Sequence, residues 1–124
     1  MGCIWNEFFI KGSQKMRYSD ILSDNFKNII DIRLPQEWAQ TGVLENSKLL
    51  TFFDEFGNIN PNFLPTISSE FAKNDEIILI CRTAHRTKFA IEYLKSNGFE
   101  NVCDIDGGIF ELIRLGVILK KFEL

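Results

Sequence analysis

Four consecutive apolar residues, Ile77-Ile78-Leu79-Ile80, run without a break into Cys81 and then into the polar stretch Arg82-Thr83-Ala84-His85-Arg86-Thr87. An unbroken, largely β-branched run of this length predicts a strand buried on both faces, as in a parallel sheet. Beyond the polar stretch, apolar or small residues recur at Phe89, Ala90, Tyr93 and Leu94 with polar residues between them, which predicts a helix over about Arg86–Ser96, closed by Asn97-Gly98. A cysteine therefore stands at the carboxyl end of a parallel-type strand and just before a helix N-terminus. Open α/β sheets bind ligands at such strand ends, and the backbone N–H groups and helix dipole there stabilise anions. A thiolate so placed is expected to have a pKa below the free value of about 8.5. The competing reading is an inert core thiol, against which the cationic residues directly after the sulfur count.

The chain's 124 residues, 45% hydrophobic and 25% charged, suffice for one domain with its own core. A net charge of -3 without a basic stripe excludes an electrostatic case for nucleic acid. No apolar run approaches the roughly 18 residues that would suggest a membrane span. The three cysteines, Cys3, Cys81 and Cys103, are too few and too widely spaced for a disulfide framework or a zinc pattern, and His85 is the single histidine. No cofactor or metal is expected, and a cytoplasmic location is the simplest fit. Residues 1–15 are read as an N-terminal appendage without a role in the site, and residues 16–124 as the domain.

In chain order, short strands are predicted at Lys15–Tyr18 and Asn28–Arg33, an edge strand near Lys48–Leu50, a helical stretch at Pro61–Ala72, the central strand at Ile77–Ile80 and a last strand at Val102–Ile105. A final helix over Phe110–Leu115 precedes a tail docked through Val117, Ile118 and Leu119. Strands alternating with helices in this order predict a parallel sheet covered on both faces. Asp31, Arg33, Pro35, Glu37 and Trp38 occur at a strand-to-helix turn. Arg33 and Glu37, four residues apart, are close enough to pair, and Asp31 ends a strand beside Cys81. Phe52, Phe53 and Phe56 either wall a pocket or pack beneath the loop.

Several of these stretches together resemble the rhodanese family of sulfurtransferases: the loop from Cys81 to Arg86 followed by Thr87; Asp31, Arg33, Pro35, Glu37 and Trp38; the turn at Gly42; and the run Gly98-Phe99, Val102, Ile105 and Gly107-Gly108. Ala84 stands where the family often has glycine, and Leu112 where it usually has tryptophan. The resemblance implies a single α/β rhodanese-like domain with a central, mostly parallel five-stranded sheet and helices on both faces. It further implies Cys81 as catalytic nucleophile, Arg82, Thr83, Ala84, His85, Arg86 and Thr87 as the active-site and substrate-binding loop, and Asp31, Arg33 and Glu37 as supporting residues. The expected partners are a small anionic sulfur donor such as thiosulfate, or a protein persulfide, and a thiol or cyanide acceptor. Fold relatives that act on phosphate or arsenate have five residues between cysteine and arginine, where this chain has four, Arg82 to His85. That shorter loop favours sulfur transfer over an oxyanion reaction, and the presence of Cys81 favours it over an idle binding module. A thiol that ionises unaided needs no general base, so His85 is read as a rim residue adding positive potential.

Overall fold

The computed structural model describes residues 28–82, 85–105 and 107–124. Within them the order is β1 (Ile29–Asp31), α1 (Pro35–Thr41), β2 (Lys48–Leu49), α2 (Phe63–Glu70), β3 (Glu76–Ile80), α3 (Arg86–Ser96), β4 (Asn101–Asp104) and α4 (Gly108–Arg114). The strands form one sheet in the order β2-β1-β3-β4. Every pairing is parallel, with Ile30 opposite Leu79 and Ile78 opposite Cys103. The described sheet thus has four strands where five were expected. The predicted strand at Lys15–Tyr18 and the appendage at residues 1–15 lie outside the described residues.

The period-two alternation of the strands divides the core into two layers. Ile78, Ile80, Cys103 and Ile105 face one side and pack with Leu44, Ile109 and Leu112. Ile30, Ile77, Leu79, Cys81 and Val102 face the other and pack with Phe63 and Ile67 of α2, Ala90 and Leu94 of α3, and Phe52. Helices cover both faces because β3, apolar and buried at each position from Ile77 to Ile80, leaves neither face of that run to water.

Local signals account for the element ends. Pro35 occupies the first turn of α1, where its missing N–H costs nothing. Pro65 likewise falls in the first turn of α2, so it does not break the helix. The N–H groups of Asn97 and Gly98 close α3, with Gly98 at φ +93°. Of the tail, Val117 is buried and Leu119 partly buried, while Ile118 is exposed. Lys120 exchanges backbone hydrogen bonds with Val43, at 2.8 and 2.7 Å.

Candidate active site

Cys81 follows the last residue of β3 and is 1% exposed, and it is the free cysteine among the described residues. The backbone on either side of the sulfur is held from below by α4. The N–H of Ile109 donates to the Cys81 carbonyl at 2.8 Å and that of Phe110 to the Arg82 carbonyl at 3.3 Å. This approach requires a glycine at position 108. Its φ is +62°, and a Cβ there would lie 2.4 Å from the Cys81 carbonyl oxygen and 2.7 Å from that of Arg82. Gly108 therefore lets α4 press against the Cys81–Arg82 backbone.

From above, α3 supplies Thr87, whose buried Oγ1 lies 3.8 Å from Cys81 Sγ and donates to Asp104 Oδ2 at 2.6 Å. Arg86, at the first position of α3, donates from Nη1 and Nη2 to Oε1 and Oε2 of Glu37, both at 2.7 Å. Glu37 Oε1 also accepts from the N–H of Leu34 at 3.1 Å. One carboxylate thereby fixes the start of α1 and the start of α3. Burial pushes the Glu37 pKa up, but the hydrogen bonds from Arg86 and Leu34, with the charges of Arg86 and Arg33, outweigh it and hold the carboxyl below its ordinary range. The Arg86 guanidinium is shifted further upward, chiefly by its hydrogen bond to Glu37, and the Cys81 and Asp31 charges act in the same direction.

These partners correct the expected pairing of Arg33 with Glu37. Asp31 and Arg33 are two apart and project to the same side of the extended chain, where both are fully buried. The Arg33 guanidinium donates to Asp31 at 2.8 to 3.2 Å, to Thr41 Oγ1 at 2.9 Å and to the Gly42 carbonyl at 3.1 Å. Buried charges need this degree of satisfaction. Only the backbone carbonyl of Glu37 is left within reach of Arg33, at 3.4 Å.

At the rim, the exposed Arg82 lies over the Phe110 ring, 5.0 Å from its centroid. His85 is also exposed, and its ring meets the edge of Phe89, which in turn meets Phe53. Phe52 is a core residue and Phe56 is exposed, so of the three candidate wall residues Phe53 is the one that joins the rim cluster. Thr83 and Ala84 lie outside the described residues. Cys103 is fully buried within β4 and is not a free thiol. Sequence reasoning missed Asp104. The available signal was a carboxylate two residues after Val102, on the strand face that otherwise carries core residues.

Comparison with known proteins adds the family. The model of the Rhodanese-like domain matches residues 10–114. The chain belongs to the rhodanese-like family. Rhodanese-like domain-containing protein 17 of Arabidopsis thaliana is 32% identical over 91 residues, covering 70% of this chain and 58% of that protein. Senescence-associated protein DIN1 of Raphanus sativus is 47% identical over 82 residues, 64% of this chain and 44% of that protein. The chain thus spans about half the length of these plant relatives. A protein of Allochromatium vinosum named sulfurtransferase is 29% identical over 89 residues, covering 72% of this chain and 74% of that one. The rhodanese-related protein of Thermoplasma volcanium shares the fold, with a TM-score of 0.60 at 22% identity, over 84% of this chain and 94% of that one. No helix among the described residues is long and apolar enough to cross a membrane.

Proposed function

We propose that this rhodanese-like domain is a sulfurtransferase that carries sulfane sulfur on Cys81. The observation that carries this reading is a buried free thiol at the carboxyl end of the central strand, with the Thr87 hydroxyl and the Arg86 charge beside it. In the first half-reaction the Cys81 thiolate attacks the outer sulfur of thiosulfate. The new bond joins Sγ to that sulfur, the thiosulfate S–S bond breaks, and its electron pair leaves with sulfite. Cys81 is left as a persulfide with its negative charge on the outer sulfur. In the second half-reaction cyanide or a thiolate attacks the outer sulfur and departs as thiocyanate or a new persulfide, returning the Cys81 thiolate. A persulfide on another protein serves as donor by the same exchange.

The loop from Cys81 to Arg86 lies at the start of α3, where backbone N–H groups without helical partners favour an anion. Arg82 and His85 at the rim meet the incoming donor, while Arg86, tied to Glu37, steadies the loop. The chemistry needs Cys81 itself as an unoxidised thiol. The test is an intact-mass spectrum after incubation with thiosulfate. The proposal requires one added sulfur on Cys81, removable by cyanide or thiol. A folded chain that takes up no sulfur from thiosulfate or from a small persulfide would instead be a binding module.

A further inference from the structure

Sulfur transfer at Cys81 does not by itself account for the short contact between Thr87 and Asp104. Asp104 ends β4 opposite Leu79 of β3. Alternation puts it on the face of Val102, which is also the face of Cys81 and α3. A carboxylate on the apolar side of a sheet is costly unless it is hydrogen-bonded, and Thr87 Oγ1 donates to it at 2.6 Å.

The direction of that bond matters for the sulfur. A threonine hydroxyl has one proton. A separation of 2.6 Å to a carboxylate oxygen is that of a charge-assisted bond, so the proton lies toward Asp104. Thr87 then turns a lone pair toward Cys81 Sγ, 3.8 Å away. A thiol S–H can donate to that lone pair. A thiolate is opposed by it and by the carboxylate behind it. In a persulfide the negative charge has moved to the outer sulfur, about 2 Å away along a new S–S bond.

We infer that Asp104 is a positioning residue that, through Thr87, disfavours negative charge on Cys81 Sγ and so favours its transfer to the outer sulfur of the persulfide. The second half of this statement rests on the proposed sulfur transfer. The first half concerns the free thiol alone. Among the described residues, the other charged groups around the sulfur have these places. Arg86 of α3 attracts charge to Cys81 and is held by Glu37 of α1, Asp31 of β1 is neutralised by Arg33, and Arg82 and His85 stand at the exposed rim.

The experiment measures alkylation of Cys81 by iodoacetamide against pH in the intact chain, resolved by peptide mass spectrometry so that Cys3 and Cys103 do not interfere. Asp104→Asn keeps the shape and removes the charge. Its profile should have a midpoint about one pH unit lower than the parent, a roughly tenfold larger thiolate fraction on the acid side. In a Thr87→Val background the same substitution should move the midpoint by less than half as much. Asp104→Ser provides a second charge-removing variant, expected to shift in the same direction. An unchanged or raised midpoint in the folded variants, or an equal shift with and without the Thr87 hydroxyl, overturns the inference. With thiosulfate and sulfite present, at a pH above both midpoints, Asp104→Asn should hold several-fold less Cys81 as persulfide, and an equal share overturns the second half. The alkylation profile needs no sulfur donor. A chain that shows the shift but takes up no sulfur defeats the proposed function alone, and one that takes up sulfur without the shift defeats this inference alone.

Discussion

Replacing Gly108 by alanine tests how the loop that carries Cys81 is supported. The φ of +62° costs an L-residue about 1 kcal/mol. The added Cβ would lie 2.4 and 2.7 Å from the carbonyl oxygens of Cys81 and Arg82, and both are backbone atoms that no side-chain rotation can move. The first turn of α4 must withdraw, weakening the bonds from Ile109 and Phe110 to those same carbonyls. Each such bond contributes about 1 kcal/mol net. The sum is about 3 kcal/mol, a large fraction of the 5–15 kcal/mol or so that holds a domain of this kind. Gly116 supplies the control, since its φ is +90° but a Cβ would meet nothing within 4 Å, so Gly116→Ala should cost only about 1 kcal/mol. Urea unfolding would give both values, and the alkylation rate of Cys81 would report the geometry of the loop. Gly108→Ala should lose about 2 kcal/mol more than Gly116→Ala and change the Cys81 rate. Equal losses and an unchanged rate would refute the view that α4 presses directly on the loop.

Three further outcomes are expected. Cys81→Ser should remove sulfur uptake and leave the thermal transition near that of the parent, whereas Cys103→Ser, if folded, should still take up sulfur at Cys81 by mass spectrometry. Glu37→Gln should destabilise the chain by about 2 kcal/mol at neutral pH, because it removes the negative charge and one of the two acceptor oxygens of a charge-assisted pair whose Arg86 and Glu37 side chains are 22% and 15% exposed. Since the folded Glu37 pKa lies below its ordinary value of 4.5, that advantage is present above 4.5 and is lost as pH falls through the folded value, so the two unfolding curves should converge in acid. Arg82→Ala should raise KM for thiosulfate several-fold at low salt and less at high salt, because an exposed charge is screened over about 10 Å. Arg86→Ala should instead lower kcat or stability with little salt dependence, and matching salt responses for the two variants would sink this division of roles.

The elements were legible where their signals are local. The period of Phe89, Ala90, Tyr93 and Leu94, ended by Asn97-Gly98, placed α3 at the residues it occupies, Arg86–Ser96. The uninterrupted apolar run of β3 implied a sheet covered on both faces, and hence put Cys81 at a strand end. Partnerships among charged residues were not legible in the same way. Asp31, Arg33, Glu37 and Arg86 offer two acids and two bases, and proximity in sequence suggested joining Arg33 to Glu37. The fold decides otherwise through burial. A fully buried Arg33 requires an acid that is buried with it, and Asp31 on the same side of the extended chain meets that demand. Glu37, left at the partly exposed start of α1, is then available to a residue 49 positions away. Asp104 was missed for a related reason, since a carboxylate near a strand end reads as solvated until the helix packed against that strand is known. The exchange of partners has a consequence for the site. With Arg33 spent on Asp31, the motif at Asp31–Glu37 acts on Cys81 through Arg86. A substitution at Glu37 should therefore disturb the loop that holds the sulfur, while one at Arg33 should first disturb the junction of β1, α1 and the Gly42 turn.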